Sequence, residues 1–214
     1  MLTTWLEARY EERNQEPALH NALAMIYIDS GSKDAQDFLI KNQFYDSKII
    51  GKYCEERNPD LAFTAYKRAW GSCDEELIQV TNKNYLFRMQ ARYLVERQSP
   101  ELWAKVLTAE NPHRQQVIDQ VVQTALPETK NVDEVSVTVS AFIDAQLPNQ
   151  LIELLERIVL HNSDFADNKS LQNLLILTAI RSDTTRVMDY INRLDNYDGL
   201  KLAAIAKEEQ HGLY

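Results

Sequence analysis

The sequence predicts an all-α fold, a solenoid of about fourteen short helices stacked as hairpins. Three observations predict it. Apolar residues recur at helical spacing in one segment after another. Capping residues followed by proline mark helix starts at a nearly constant interval. Glycine is scarce, five in 214 residues, which implies few tight turns and no phosphate-cradling loop.

Along the chain, starts fall near positions 17, 33, 46, 59, 74, 84, 100, 112, 131, 148, 170, 184 and 199. That is one helix per roughly fifteen residues, and a pair every ~30. Leu61, Ala62, Ala65, Tyr66 and Ala69 form one apolar face, and Val117, Ile118, Val121, Val122 and Ala125 another. Leu151, Ile152, Leu154, Leu155, Ile158 and Val159 form a wide stripe opposite Gln150, Glu153, Glu156 and Arg157. Leu171, Leu174, Leu175, Leu177 and Ile180 repeat the pattern. Asn58-Pro59, Ser99-Pro100 and Asn111-Pro112 each place a capping side chain before a proline at the first helical position. Ser72 with Glu75, and Asn131 with Glu134, have capping-box spacing. Residues 135–139 alternate like a strand, but Val132, Val135, Val139, Phe142 and Ile143 make a helical face behind Asn131. A lone strand would have nothing to pair with, so the segment reads as helix. The repeat lies in helix length and spacing; the 34-residue pattern of tetratricopeptide arrays is absent. Pairs of this kind cover their apolar faces on their neighbours.

Lys and Arg number 23 against 32 Asp and Glu, a net charge of −9, which argues against a general binder of nucleic-acid backbones. Cys54 and Cys73 read as reduced, buried small hydrophobes in a cytosolic setting. No apolar run reaches the ~18 residues a membrane span requires. The opening Met1-Leu2-Thr3-Thr4-Trp5-Leu6 lacks the order of a signal peptide. The close, His211-Gly212-Leu213-Tyr214, follows a helical pattern at once and reads as cut from something longer.

Chemistry is hard to find. His20, His113, His161 and His211 are too scattered for a local metal site. Nucleophile-elbow, P-loop, dinucleotide and D-D-x-x-D motifs are absent. The acidic runs Glu11-Glu12, Glu55-Glu56, Asp74-Glu75-Glu76 and Glu208-Glu209 read as solvated faces or helix starts. Trp5, Trp70 and Trp103 are expected to wedge between neighbouring layers. Phe44, Tyr45, Tyr53 and Tyr66 favour core packing over a peptide groove, and Lys67-Arg68, Arg186 and Arg193 are isolated basic spots. The reading is not an enzyme: no catalytic, cofactor-binding or metal-binding residue stands out.

Tyr45-Asp46-Ser47-Lys48-Ile49-Ile50-Gly51-Lys52-Tyr53-Cys54-Glu55-Glu56-Arg57-Asn58-Pro59 strongly resembles a stretch of the clathrin heavy chain leg. Ile118-Asp119-Gln120-Val121-Val122-Gln123-Thr124-Ala125-Leu126-Pro127 does too, as do residues 147–160, 171–180 and 186–196. The resemblance covers nearly the whole chain. It is weakest over residues 1–19 and around Ala69-Trp70-Gly71, where a residue or two is inserted before Cys73.

The resemblance implies a right-handed superhelix of short hairpins, with residues 1–214 forming partial heavy-chain repeats truncated at both ends. It places the chain in the distal leg toward the knee, as structural scaffold of the polyhedral coat on coated pits and vesicles in endocytosis and vesicle transport. Localisation would be cytoplasmic, on the membrane's cytoplasmic face. The implied partners are other heavy-chain legs; trimer formation and light-chain binding belong to regions absent here. Nucleic acid and membrane insertion are not implied, and the residues touching neighbouring legs are left unknown. The rival reading is a helical-repeat subunit of a vacuolar or lysosomal tethering complex, which the long matching runs disfavour. A single-file array would have a radius of gyration above ~20 Å, against about 17 Å for a globule of this length. Its first and last helices should be the least stable.

Overall fold

A computed structural model of the chain describes residues 2–12, 15–161 and 164–211. Residues 212–214 and Met1, read above as the abrupt close and the opening, lie outside the described residues. Among the described residues fourteen α-helices and no strand occur. They are α1 (Leu2–Glu11), α2 (Pro17–Asp29), α3 (Asp34–Lys41), α4 (Ser47–Cys54), α5 (Pro59–Arg68), α6 (Asp74–Lys83) and α7 (Phe87–Arg97). There follow α8 (Pro100–Leu107), α9 (Arg114–Gln120), α10 (Val132–Asp144), α11 (Pro148–His161), α12 (Lys169–Ser182), α13 (Val187–Arg193) and α14 (Gly199–His211). A π-helical turn, Val121–Ala125, prolongs α9, and a 3-10 turn, Thr184–Arg186, leads into α13. The strand-like residues 135–139 are indeed helical, inside α10.

Two compact units divide the chain, Met1–Tyr93 and Leu94–Tyr214. In the first, α2 packs on α1, α3 and α4, while α5 packs on α3, α4 and α6. In the second, α10 packs on α8 and α11, and α12 packs on α11, α13 and α14. Each helix thus meets partners close to it in sequence, the connectivity of a helical-repeat array. Leu23, Leu39, Ile50, Ala62, Ala65 and Leu77 are the driest part of the first core; Val117, Leu126, Phe142, Leu154, Leu155, Ile158 and Leu175 that of the second.

Several starts are capped as expected. The Asn58 side chain accepts from Asp60 N–H and Leu61 N–H, and Ser99 Oγ accepts from Leu102 N–H. Asn111 does otherwise. It accepts from His113 N–H in a turn, and α9 begins only at Arg114. Ser72 is no cap, since Cys73 precedes α6 without a side-chain bond. Asn131 caps α10 through Asp133 N–H, but Glu134 turns to the Thr129 hydroxyl instead of completing a capping box.

Tight turns are commoner than the glycine count implies. Gly31, at φ 62°, closes α2 with Gly31 N–H to Ile28 O (3.1 Å) and Ser32 N–H to Tyr27 O (3.1 Å). The same paired bonds, a Schellman closure, recur at Tyr85 and Gln146, which hold φ 57° and 54° without being glycine. An apolar residue follows each, Leu86 or Leu147. The turn is made by hydrogen bonds and packing in place of glycine.

Two apolar faces sit rotated from their sequence pattern. On α10, Val132 and Ile143 are exposed while Thr138 and Ala141 are buried. On α12 the buried set is Gln172, Leu175, Ile176, Thr178 and Ala179, so two polar residues stand where leucines were expected. Of the tryptophans only Trp103 is a core residue, 1% exposed against the ring of Phe142; Trp5 and Trp70 are 55% and 50% exposed. The wedge reading is wrong for those two.

Candidate functional site

With the apolar faces packed, the polar side chains of these elements form clasps from one helix to another. Arg68, at the end of α5, donates to Ser47 Oγ (3.0 Å), Gln43 O (2.8 Å) and Tyr45 O. Its guanidinium lies 4.0 Å over the Tyr45 ring, and the Tyr45 hydroxyl donates to Leu39 O at 2.8 Å. Burial pushes that hydroxyl up to about 12, with Arg68 pulling the other way. One arginine thereby ties α5 to the α3–α4 connection.

The acidic runs read above as solvated supply further clasps. Glu55 Oε1 accepts from the Tyr66 hydroxyl at 2.6 Å and Glu55 Oε2 from Lys52 at 2.7 Å. Burial would raise the Glu55 carboxyl, but those two donors hold it below the ordinary range. Lys48 pairs with Glu76 at 2.5 Å, and Lys83 with Glu56 at 2.5 Å. Asp74 accepts from the Tyr93 hydroxyl. In the second unit Glu156 Oε1 accepts from Tyr190 (2.6 Å) and from Arg186 Nη1 (3.1 Å), fastening α13 to α11. Buried Gln172 donates to Ala166 O (2.7 Å) and accepts from Asn196 N–H (2.9 Å). The sequence hinted at these partners only through an aromatic or basic residue one helix away from a carboxylate, a weak signal.

The histidines stay apart. His20 is buried on α2, with Nδ1 2.7 Å from the Asn42 amide nitrogen. Asn42 Oδ1 accepts from Phe44 N–H at 2.8 Å, which turns the amide N–H toward His20 and makes Nδ1 the acceptor. His113 precedes α9 and His161 ends α11; the His211 side chain is outside the described residues. Among the described residues no group of three His, Cys, Asp or Glu could hold a metal ion. Cys54 and Cys73 are buried free thiols. Burial pushes Cys54 up to about 11 and also raises Cys73, so both stay protonated and unreactive near neutrality. A groove of about 700 Å³ between α8 and α10 is lined by Trp103, Ala104, Leu107, Ser140 and Asp144. No helix among the described residues is long and apolar enough to cross a membrane.

Polar groups that hold helix to helix, over a nearest-neighbour core, define a helical-repeat protein. A family model described as "Region in Clathrin and VPS" matches residues 1–118 and 126–214. The chain belongs to that family. It is 66% identical over 98% of its length to the Clathrin heavy chain of Dictyostelium discoideum. It is also 60% identical over 96% to Clathrin heavy chain 2 of Homo sapiens, and 59% over 98% to the Clathrin heavy chain of Drosophila melanogaster. The chain spans 12% of the length of each of these relatives. The interval between the two family matches, residues 119–125, contains the π turn.

Proposed function

We propose that the chain is a structural segment of a clathrin heavy chain leg, a partial run of heavy-chain repeats that stiffens the leg and offers surface to neighbouring legs in a coat. The carrying observation is identity of 59–66% to clathrin heavy chains along nearly the whole chain. The geometry agrees with a mechanical role. Clasps such as Glu156–Tyr190 and Arg68–Tyr45 join helices that are one or two apart along the chain, so bending is shared among many small joints. Individually weak lateral contacts then add up by avidity, which lets a lattice form and come apart. The role is non-enzymatic, on the cytoplasmic face of coated membranes, and trimer formation and light-chain binding fall to other parts of the parent protein.

The test is assembly of the parent heavy chain. Closed polyhedral cages in electron micrographs, with cross-links mapping to residues of this segment, are the expected outcome. A parent protein that tethers vesicles without forming a lattice would favour the tethering-complex reading. Small-angle scattering of the chain gives a second check, with a radius of gyration above ~20 Å expected and about 17 Å contrary to it.

A further inference from the structure

Asp198-Gly199, where α14 begins, is the one Asp–Gly or Asn–Gly pair among the 214 residues. The pairing matters chemically because glycine has no Cβ to shield its backbone nitrogen from the carboxyl group beside it. Around it the fold is fastened on one side and open on the other. Upstream, Asp198 N–H donates to Asn173 Oδ1 (2.7 Å) and Asn196 N–H to Gln172 Oε1 (2.9 Å), which tie the connection to α12. Downstream, Gly199 and Leu200 are exposed, and Leu202 is the one buried residue among the described side chains of α14. The Asp198 carboxylate accepts from Lys201 N–H at 3.2 Å, and Leu202 N–H closes the first turn on Asp198 O at 3.0 Å. A helix end with so little buried surface opens locally far more often than a core helix. Two Asp–Ser pairs give the contrast. After Asp29 the nitrogen is held, Ser30 N–H donating to Ile26 O at 2.9 Å. At Asp46 one carboxylate oxygen accepts from Lys48 N–H and Ile49 N–H, both at 2.9 Å, and Ser47 is buried with Arg68 on its Oγ. At Asp198 a loosely held carboxyl, an unshielded nitrogen and a helix end that can open come together.

We infer that the Asp198–Gly199 bond is a site of spontaneous isomerisation, where the chain passes slowly from an aspartyl to an isoaspartyl linkage. When the first turn opens, the Gly199 nitrogen loses its proton and attacks Cγ of the protonated Asp198 carboxyl. A water molecule leaves with one carboxyl oxygen, and a succinimide ring closes. Water then opens the ring at the backbone carbonyl of Asp198, so the chain runs on through Cβ and Cγ and an α-carboxylate is freed. The water lost and the water gained balance, and nothing is oxidised or reduced. In the product the carbonyl that accepted from Leu202 belongs to the freed carboxylate, and the oxygen that accepted from Lys201 belongs to the peptide bond. The backbone is also one atom longer before Gly199. The cap and the first turn of α14 are lost together, so the joint between α12 and α14 loosens with age, whatever the role of the scaffold.

The experiment ages the whole chain in heavy-oxygen water at neutral pH and physiological temperature, then maps its linkages by electron-transfer fragmentation of the peptides. Isotope uptake and isoaspartyl fragments are expected at Asp198, severalfold ahead of Asp29 and Asp46. Asp198→Glu should abolish them, because the larger ring closes poorly. Gly199→Ala should slow them severalfold; a Cβ there meets Tyr197 Cε2 at 3.6 Å, an ordinary contact, so the variant keeps its fold. In the isomerised fraction amide exchange should quicken across α14 while α11 keeps its protection. An Asp198 linkage that stays unaltered, a rate indifferent to Gly199→Ala, or an isomerised chain with α14 protection unchanged would each overturn the proposal.

Discussion

A Cβ placed on Gly51 would lie 2.2 Å from Cε1 of Tyr66, so the α5 ring rests directly on the backbone of α4. The ring is 1% exposed and its hydroxyl is held by Glu55, which leaves it nowhere to swing. Gly51→Ala should therefore destabilise by about 3 kcal/mol, the upper end for overpacking, despite the ~1 kcal/mol that alanine gains in a helix. Urea titration measures it. In a Tyr66→Ala background the same substitution should become nearly neutral or favourable, and equal cost in both backgrounds would refute the contact.

Left-handed residues give a prediction of opposite sign. Gln146 is exposed and its φ of 54° is set by the closure of α10, so Gln146→Gly should stabilise by about 1 kcal/mol. Gly31 is the converse control. A Cβ there meets nothing within 4 Å, so the loss of about 1 kcal/mol expected for Gly31→Ala is purely conformational.

Alkaline pH should weaken the fold in a defined window. Cys54 loses its proton near 9.0 when unfolded and at about 11 when folded; Tyr45 does so at 10.0 and about 12. Above pH 9 the unfolded chain binds fewer protons than the folded one, so stability falls as pH rises. The contribution is whole below pH 9 and gone by about 12. Denaturant midpoints measured from about pH 8 to 11 should drop accordingly, and Cys54→Ala should make the drop shallower without abolishing its onset, since Cys73 is raised in the same direction.

Tyr190→Phe removes the hydroxyl that Glu156 accepts and should cost about 1–2 kcal/mol, a bond to a charged group being at stake. Tyr190 is the one buried side chain of α13, so the loss should appear as faster amide exchange in α13 while α11 is unchanged.

Hydrogen exchange should rank the helices by burial. Among the described side chains of α14 only Leu202 is buried, and Leu200 is fully offered to solvent, whereas α11 buries six apolar residues. Protection should fall steeply from residues 151–159 to α14. Equal protection would contradict the structure.

How much of this was legible beforehand follows from what each signal reports. Helix starts were readable to within three residues because Asn58, Ser99 and the prolines after them act locally. Faces were readable where one stripe was strongly apolar, as on α11, and less so on α12, where buried Gln172 is satisfied by loop residues Ala166 and Asn196 and buried Thr178 by the Leu174 carbonyl of its own helix. Trp5 and Trp70 were misjudged since size alone does not say which side of a helix end an aromatic leaves from. The clasps of Glu156 and Arg68 depend on residues 21 to 34 positions away, beyond any local pattern. Family likeness carried the function, which neither periodicity nor charge could have supplied.

The π turn after α9 has a consequence for what can happen to this stretch over evolutionary time. Its closing bond, Leu126 N–H to Val121 O at 3.1 Å, spans one residue more than an α turn. Val117, Val121 and Ala125 form one buried row and Ile118, Val122 and Leu126 another, each stepping by four. On an α-helix such rows would creep sideways by about 40° per step, and the wider loop takes up that drift. Slack of this kind can be given back: losing solvent-facing Gln123 would tighten the loop to ordinary pitch and leave both rows facing inward. Relatives can therefore differ in length by one residue here without disturbing whatever comes after.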